Sequence, residues 1–313
     1  MNCLEIILNS SKIVMCGCLE SGANMVDYLL SNGVTISYFV SLTPEQAKKH
    51  NVSGYISFIE LSKKYNIPIY YPNKYSLDDP IDIQFFKKNH FDLLILGGWN
   101  RLIPEKILNT LKIGGLGIHG SSEFLPKGRG RSSVNWSLIE GKTSFILHLF
   151  FLTKNVDDGD VIDYKIFDIN NWDTCRTLYY KFSIMAKIML KEQIPKILKN
   201  DFQIKSQGDD ASYYPKRVPD DGIINWSQTV FDIYNFIRAL TKPYPGSFTF
   251  NKNEKIYIWN AQPFDTSITF ANAKFGEVVE KFFTGDFVVN CKSGLLLVTN
   301  YDGIVNIGDV FSS

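Results

Sequence analysis

Apolar residues in this chain fall into short unbroken runs that end in glycine or a polar cluster, and most are followed by a segment with apolar positions three and four apart. Lys12-Ile13-Val14-Met15-Cys16-Gly17 is the first such run. It predicts a buried strand entering a glycine turn, with a helix over 24–30 behind it. Strands over 34–40 and 68–71 then alternate with helices over 59–65 and 81–88. Phe91-Asp92-Leu93-Leu94-Ile95-Leu96, closed by Gly97-Gly98, has the continuous apolar character of a central parallel strand covered on both faces. A helix over 104–111, a strand running into His119, a helix over 133–140 and strands over 144–153 and 161–168 extend the series. This alternation predicts an α/β domain on a mostly parallel, Rossmann-like sheet. The first turn holds Gly17 and Gly22 without the full G-x-G-x-x-G fingerprint, so a tight strand-to-helix turn is expected there and no NAD site.

Asp173 stands as the expected N-cap of a long helix to about residue 199, with Leu178, Phe182, Met185, Met189, Ile194 and Leu198 at helical spacing as a core stripe. Residues 206–219, with Gly208, Pro215 and Pro219, have linker composition. A helix over 229–240 follows. Short runs over 247–250, 255–259, 276–282, 287–291 and 294–299, punctuated by Gly and Asn, predict a small β-barrel. The expected division is an α/β domain over 1–205, a linker over 206–220, and a helix plus barrel over 221–313.

Composition narrows the function. With 313 residues, 45% hydrophobic and 21% charged, the chain reads as an ordinary soluble globular protein long enough for two domains. A formal net charge of +1 argues against a broad electrostatic footprint for nucleic acid or an anionic membrane and directs attention to small-molecule partners. There is no apolar run of spanning length, and the amino terminus MNCLEIILNSSK has neither the basic start nor the apolar core of a signal peptide, so a cytoplasmic location is expected. Five cysteines without framework spacing read as free thiols of a reducing compartment. Cys16-Gly17-Cys18 has no second Cys/His pair with zinc-like spacing, and no metal is expected.

In an open parallel sheet, ligands bind beyond the carboxyl ends of the strands, which brings together the loops 97–104, 117–131 and 155–160. His119 is placed at the exposed end of its strand, ahead of a glycine-rich basic loop. A histidine with an aspartate from another loop makes a general-base pair, because the carboxylate orients the ring and stabilises its protonated form. His119 with Asp157 is the candidate. Taken by themselves, Asp157, Asp158 and Asp160 also fit a solvated turn or a Mg²⁺ or Ca²⁺ loop.

Gly114-Gly115-Leu116-Gly117-Ile118-His119-Gly120-Ser121, then Leu125-Pro126-Lys127-Gly128-Arg129-Gly130, then Val156-Asp157-Asp158-Gly159-Asp160 follow in order. This series resembles the signature of the folate-dependent formyltransferases, roughly G-x-x-N-x-H-x-S-x-L-P-x-x-R-G followed by D-x-G. Ala211-Ser212-Tyr213-Tyr214-Pro215-Lys216-Arg217, Gly222-Ile223-Ile224-Asn225-Trp226 and Arg238-Ala239-Leu240-Thr241-Lys242-Pro243-Tyr244-Pro245-Gly246 are similar to the bacterial sugar-nucleotide N-formyltransferases. The resemblance covers about residue 95 to the end. It implies the formyltransferase fold with an OB-like barrel, and transfer of the formyl group of N10-formyltetrahydrofolate, the co-substrate, to an amine. His119 then matches the family base and Asp157 its partner. The segment Gly98-Trp99-Asn100-Arg101-Leu102-Ile103-Pro104 matches the lining of the pterin site, so Gly98, Trp99, Asn100, Leu102 and Ile103, with Asp160, are the expected co-substrate contacts.

Two departures stand out. Gly117 occupies the position of the family asparagine that donates to the oxyanion, and loss of one such donor costs on the order of 10²–10³ in rate. The segment from His119 to Pro126 is about two residues longer than usual. A water beside Gly117, a donor such as Ser121 or Asn100, or a changed reaction are the alternatives: hydrolysis, another acceptor, or folate binding alone. For the acceptor, residues 211–313 carry nine Lys/Arg against ten Asp/Glu, which disfavours tRNA. A nucleotide-linked amino sugar needs an aromatic platform and a few cations, for which Arg129, Arg131, Lys216, Trp226 and Tyr244 are candidates. The expected partners are thus this small molecule, no nucleic acid and no membrane, with a homodimer left open.

Overall fold

The computed structural model describes residues 11–312. The amino-terminal stretch read for a signal peptide and the thiol of Cys3 lie outside the described residues, apart from Ser11 and Lys12. Two compact units divide the chain: Met1–Arg129, Ile146–Ile166 and Lys181–Tyr213 form the first, and Gly130–Phe145, Phe167–Tyr180 and Tyr214–Ser313 the second.

The first unit is organised on a seven-stranded sheet built from β1 (Ile13–Cys16), β2 (Tyr38–Val40), β3 (Ile69–Tyr70), β4 (Leu93–Leu96), β5 (Gly114–Ser121), and, after the two-residue β6 (Arg129–Gly130), β7 (Ser144–Phe151) and β8 (Val161–Asp168). The order is β3-β2-β1-β4-β5-β7-β8. β1 to β5 pair in parallel, and β7 runs antiparallel to β5. This is the expected mixed, Rossmann-like sheet. Ile13, Val14, Met15, Leu93, Leu94 and Ile95 are fully buried because helices cover both faces. Gly17 and Gly22 are needed for close approach, since a Cβ at either would come within 2.3 Å or 2.1 Å of the Gly97 carbonyl oxygen. They serve the tight turn.

Several boundaries differ from the expected ones. The second strand starts at Tyr38 and not at Val34, because the Val34 amide is taken by Leu29 O at the end of the preceding helix. A six-residue helix, Pro44–Lys49, was not expected. Thr43 and Gln46 close it in a capping box, and with Ala47 alone buried it has no apolar stripe to detect. The long helix is Cys175–Leu198. Its N-cap is Thr174, whose Oγ1 accepts from Thr177 N at 3.4 Å, and not Asp173, whose carboxylate takes the Thr177 hydroxyl and the Asn170 amide. Its buried positions include Leu178, Ala186, Met189, Leu190, Ile194 and Ile197, a core stripe partly offset from the expected one. Among the described residues no helix is long and apolar enough to cross a membrane.

In the second unit, after β9 (Tyr213–Tyr214), an antiparallel sheet forms from β10 (Ser247–Asn251), β11 (Glu254–Asp265), β12 (Val278–Lys281), β13 (Phe287–Cys291), β14 (Gly294–Asp302) and β15 (Phe311–Ser312), in the order β12-β13-β14-β11-β10-β15. Register shifts along β11 bend this long strand and curl the sheet into a half-barrel. The helix Val230–Leu240, capped by the Thr229 side chain on Asp232 N, turns Val230, Ile233, Ile237 and Leu240 inward at i, i+3 and i+4 spacing. Its core includes Ile233 and Ile237 with Trp226, Ile256, Ile258, Phe287, Val298 and Phe311.

Candidate functional site

β5 outruns its parallel neighbour. Leu93, Leu94 and Ile95 of β4 pair with Gly114, Gly115 and Leu116, and β4 ends one residue later at Leu96, while β5 continues to Ser121 paired with β7. Residues 117, 119 and 121 lie on one face of this extension by strand alternation. His119 therefore sits inside a strand and is 8% exposed; the expectation of an exposed strand end is corrected.

Both ring nitrogens of His119 are engaged. Nε2 lies 2.7 Å from the Gly128 carbonyl oxygen, and Nδ1 lies 3.4 Å from Asp157 Oδ2. A carbonyl oxygen only accepts, so Nε2 is the protonated nitrogen and Nδ1 of the neutral ring carries the lone pair, next to a carboxylate. Loops 117–131 and 155–160 thus meet at one imidazole. Asp157 adopts φ +51. Two residues on, Gly159 is obligatory: a Cβ there would stand 1.7 Å from Phe151 O. Asp158 turns away from the histidine to accept from the Thr153 hydroxyl and from Asn155 Nδ2. Among the described residues no group of three or more His, Cys, Asp or Glu could hold a metal ion.

The position of Gly117 is filled. A Cβ there would come within 2.7 Å of Leu152 Cδ2 and 2.8 Å of Phe150 Cζ, and Phe150 is its cross-strand partner, buried at 2% exposure. Apolar side chains crowd the position from which the family asparagine side chain would start. Ser121 is fully buried; its hydroxyl donates to Glu123 O at 2.8 Å and accepts from Glu123 N, so it shapes the longer loop. That loop folds Phe124 onto His148 and Tyr164, with ring centroids 5.8 Å and 5.0 Å apart. A cavity of about 150 Å³ remains beside them, bordered also by Lys205 and Gln207.

Two residues beside His119 and Asp157 were not among the candidates read from the sequence. His148 is the cross-strand partner of His119. Its Nε2 accepts from Leu125 N at 3.4 Å, its buried Nδ1 has no hydrogen-bond partner, and burial together with the neighbouring His119 lowers it from 6.5 to about 4. The signal was a single polar residue within the apolar run Phe145-Ile146-Leu147-His148-Leu149-Phe150. Gln207 donates to Asp157 O at 2.9 Å and to Gly159 O at 2.7 Å while accepting from Arg129. A polar residue in a polar segment carries no such signal.

Of the expected co-substrate contacts, Gly98 has φ +72, Trp99 and Ile103 are buried, and Leu102 is half-exposed. Trp99 Nε1 is buried without a hydrogen-bond partner, the Asn100 amide donates to Tyr75 OH at 3.0 Å, and Asp160 O accepts from Phe151 N. Among the expected acceptor contacts, Arg129 is buried, with its guanidinium on Gln207 and Tyr213. The others belong to the second unit: Arg131 and Lys216 are exposed, Trp226 donates from the barrel core to Thr249 Oγ1, and Tyr244 OH lies 2.6 Å from Tyr179 OH. Burial and Tyr179 raise the Tyr244 phenol far above its ordinary range.

Sequence and structure comparisons agree with these motifs. The description "Formyl transferase" matches residues 33–194, and "Formyl transferase, C-terminal domain" matches residues 216–303. The bifunctional polymyxin resistance protein ArnA of Wigglesworthia glossinidia brevipalpis is 34% identical over 232 residues, which are 74% of this chain and 34% of that protein. The chain thus spans about a third of the length of this curated relative. Among solved structures, an N-formyltransferase from Helicobacter canadensis in complex with folinic acid and dTDP-3-aminofucose superposes with a TM-score of 0.67 at 19% identity, covering 93% of this chain and 100% of its own. A 4-N formyltransferase from Francisella tularensis gives 0.62 at 16% identity, over 79% and 96%. The order of motifs, the sheet and these matches lead to one conclusion: the chain belongs to the formyl transferase family.

Proposed function

We propose that this protein is an N-formyltransferase acting on the amine of a nucleotide-linked amino sugar, with His119 as general base and Asp157 as its partner. The observation that carries this reading is the His119 ring, fixed at Nε2 by Gly128 O and facing the Asp157 carboxylate at Nδ1. When bound, N10-formyltetrahydrofolate supplies the formyl group. The loop 98–103 suits a pterin in offering a buried donor without a partner, Trp99 Nε1, and Asp160 follows the glycine of the D-x-G loop. An amine that attacks a formyl carbon must shed a proton. Nδ1 of His119 takes it, the carboxylate of Asp157 stabilises the imidazolium that results, and the same proton would return to the folate nitrogen N10 as the C–N10 bond breaks and tetrahydrofolate leaves. The acceptor class is supported by the similarity to sugar N-formyltransferases and by the near-balanced charge of residues 211–313. A reducing, cytoplasmic setting suits the four cysteines among the described residues, all buried and free.

The test is incubation with N10-formyltetrahydrofolate and a panel of dTDP- and UDP-linked amino sugars, with the N-formyl product detected by mass spectrometry. His119→Ala is expected to lower kcat by about 10²–10⁴-fold; full activity in this variant would overturn the assignment. One observation favours a second reading, in which the protein hydrolyses the formyl group, uses another acceptor, or only binds folate: Phe150 and Leu152 fill the place of a side-chain donor at Gly117. Formate released without any acceptor, and no formylated product across the panel, would select it.

A further inference from the structure

We propose that Gln207 is the positioning residue of the His119–Asp157 pair, holding in one geometry the two loops that engage opposite nitrogens of the ring; this rests on the catalytic reading of that pair. The two acceptors come from separate segments. Gly128 O takes Nε2 at 2.7 Å, and Asp157 Oδ2 faces Nδ1 at 3.4 Å. Gln207 joins those segments. Its Nε2 donates to Asp157 O at 2.9 Å and Gly159 O at 2.7 Å, and its Oε1 accepts from Arg129 Nε at 3.1 Å and Nη2 at 2.6 Å. Both protons and both lone pairs of the amide are used.

A closed circuit results: His119, Asp157, Gln207, Arg129 with the adjoining Gly128, and His119 again. Each neighbour is held in turn. Ser212 fastens the Gly128 side, accepting from Gly128 N at its hydroxyl and from Arg129 N at its carbonyl, while Tyr213 OH takes Arg129 Nη1. On the other side, Asp157 has left-handed backbone at φ +51, a turn conformation that aspartate adopts at modest cost. Gln207 binds the carbonyl of that residue. The carboxylate stands 3.4 Å from Nδ1, where it stabilises the ring once that nitrogen is protonated, so a displacement of the 155–160 loop weakens this electrostatic support.

Two substitutions in the full chain separate the contacts. Gln207→Glu keeps an acceptor for Arg129 and removes both donors; Gln207→Leu removes donors and acceptor without adding charge. Both are expected to lower kcat with N10-formyltetrahydrofolate and the dTDP- and UDP-linked panel by about 10–100-fold, with KM values within about twofold. A second readout needs no substrate. In protein labelled with ¹⁵N-histidine, the imidazole missing from His119→Ala should show a protonated Nε2, and in both Gln207 variants its Nδ1 resonance should move toward the position it takes in Asp157→Asn. Thermal melts establish that each variant is folded, and Gln207→Glu decides if Gln207→Leu is not. Folded variants with wild-type kcat and an unmoved Nδ1 resonance would overturn the positioning role while His119→Ala remains inactive. Full activity in His119→Ala would instead sink the catalytic reading, and the resonance would still report whether Gln207 sets the ring.

Discussion

At the scale of single residues, the departure at Gly117 takes on a physical meaning. Glycine there does not leave a void but permits Phe150 and Leu152 to close over β5, so restoring the family residue means displacing a buried ring. Gly117→Asn is therefore expected to destabilise the protein by about 1–3 kcal/mol, measured by urea unfolding. Unchanged stability would show that Phe150 and Leu152 yield freely. His119 was legible as a candidate because the Leu125-Pro126 loop, the Asp157 loop and the motifs of residues 211–246 follow it in order, whereas a lone histidine on an apolar run is commonly a core residue. What its two nitrogens touch was not, because Gly128 contributes only a carbonyl and any residue type has one.

At the scale of elements, the pairing of β5 with β7 sets two histidines side by side on one face. His148 is buried at 1% exposure and lowered to about 4. Above about pH 6.5 it is neutral folded or unfolded. As the pH falls from 6.5 to about 4, the unfolded chain binds a proton that the folded chain refuses, so stability is lost across that window, by about 3 kcal/mol from this residue. The check is urea unfolding at pH 7 and pH 4.5 for the wild type and His148→Gln. The variant should lose less stability on acidification, and equal losses would refute the assignment. Element positions were largely readable from periodicity; the helix Pro44–Lys49 and the two-residue strands β6, β9 and β15 were not, since so few residues set up no period.

At the scale of the whole molecule, each unit has its own core and its own buried thiols. Burial pushes Cys18 up to about 11 and Cys175 and Cys291 up to about 12, and it raises Cys16 as well. Only the thiolate reacts, so these four should alkylate with iodoacetamide at pH 8 about 10²-fold or more slowly in native protein than in urea. Peptide mass spectrometry reads each site. Rapid native labelling of Cys175 or Cys291 would show that the second unit opens readily.

The alternation of apolar runs determined the parallel sheet and the half-barrel, because burying a strand on two faces or one is a one-dimensional pattern. The order of short motifs determined the family and pointed to His119 and Asp157. Only the tertiary structure decided that β4 ends early beside β5, that Phe150 and Leu152 fill the place beside Gly117, and that Gln207 ties Asp157 to Arg129. Those are contacts between segments far apart in the chain. They depend on carbonyl oxygens, ring faces and strand lengths, which leave no periodic trace in a sequence.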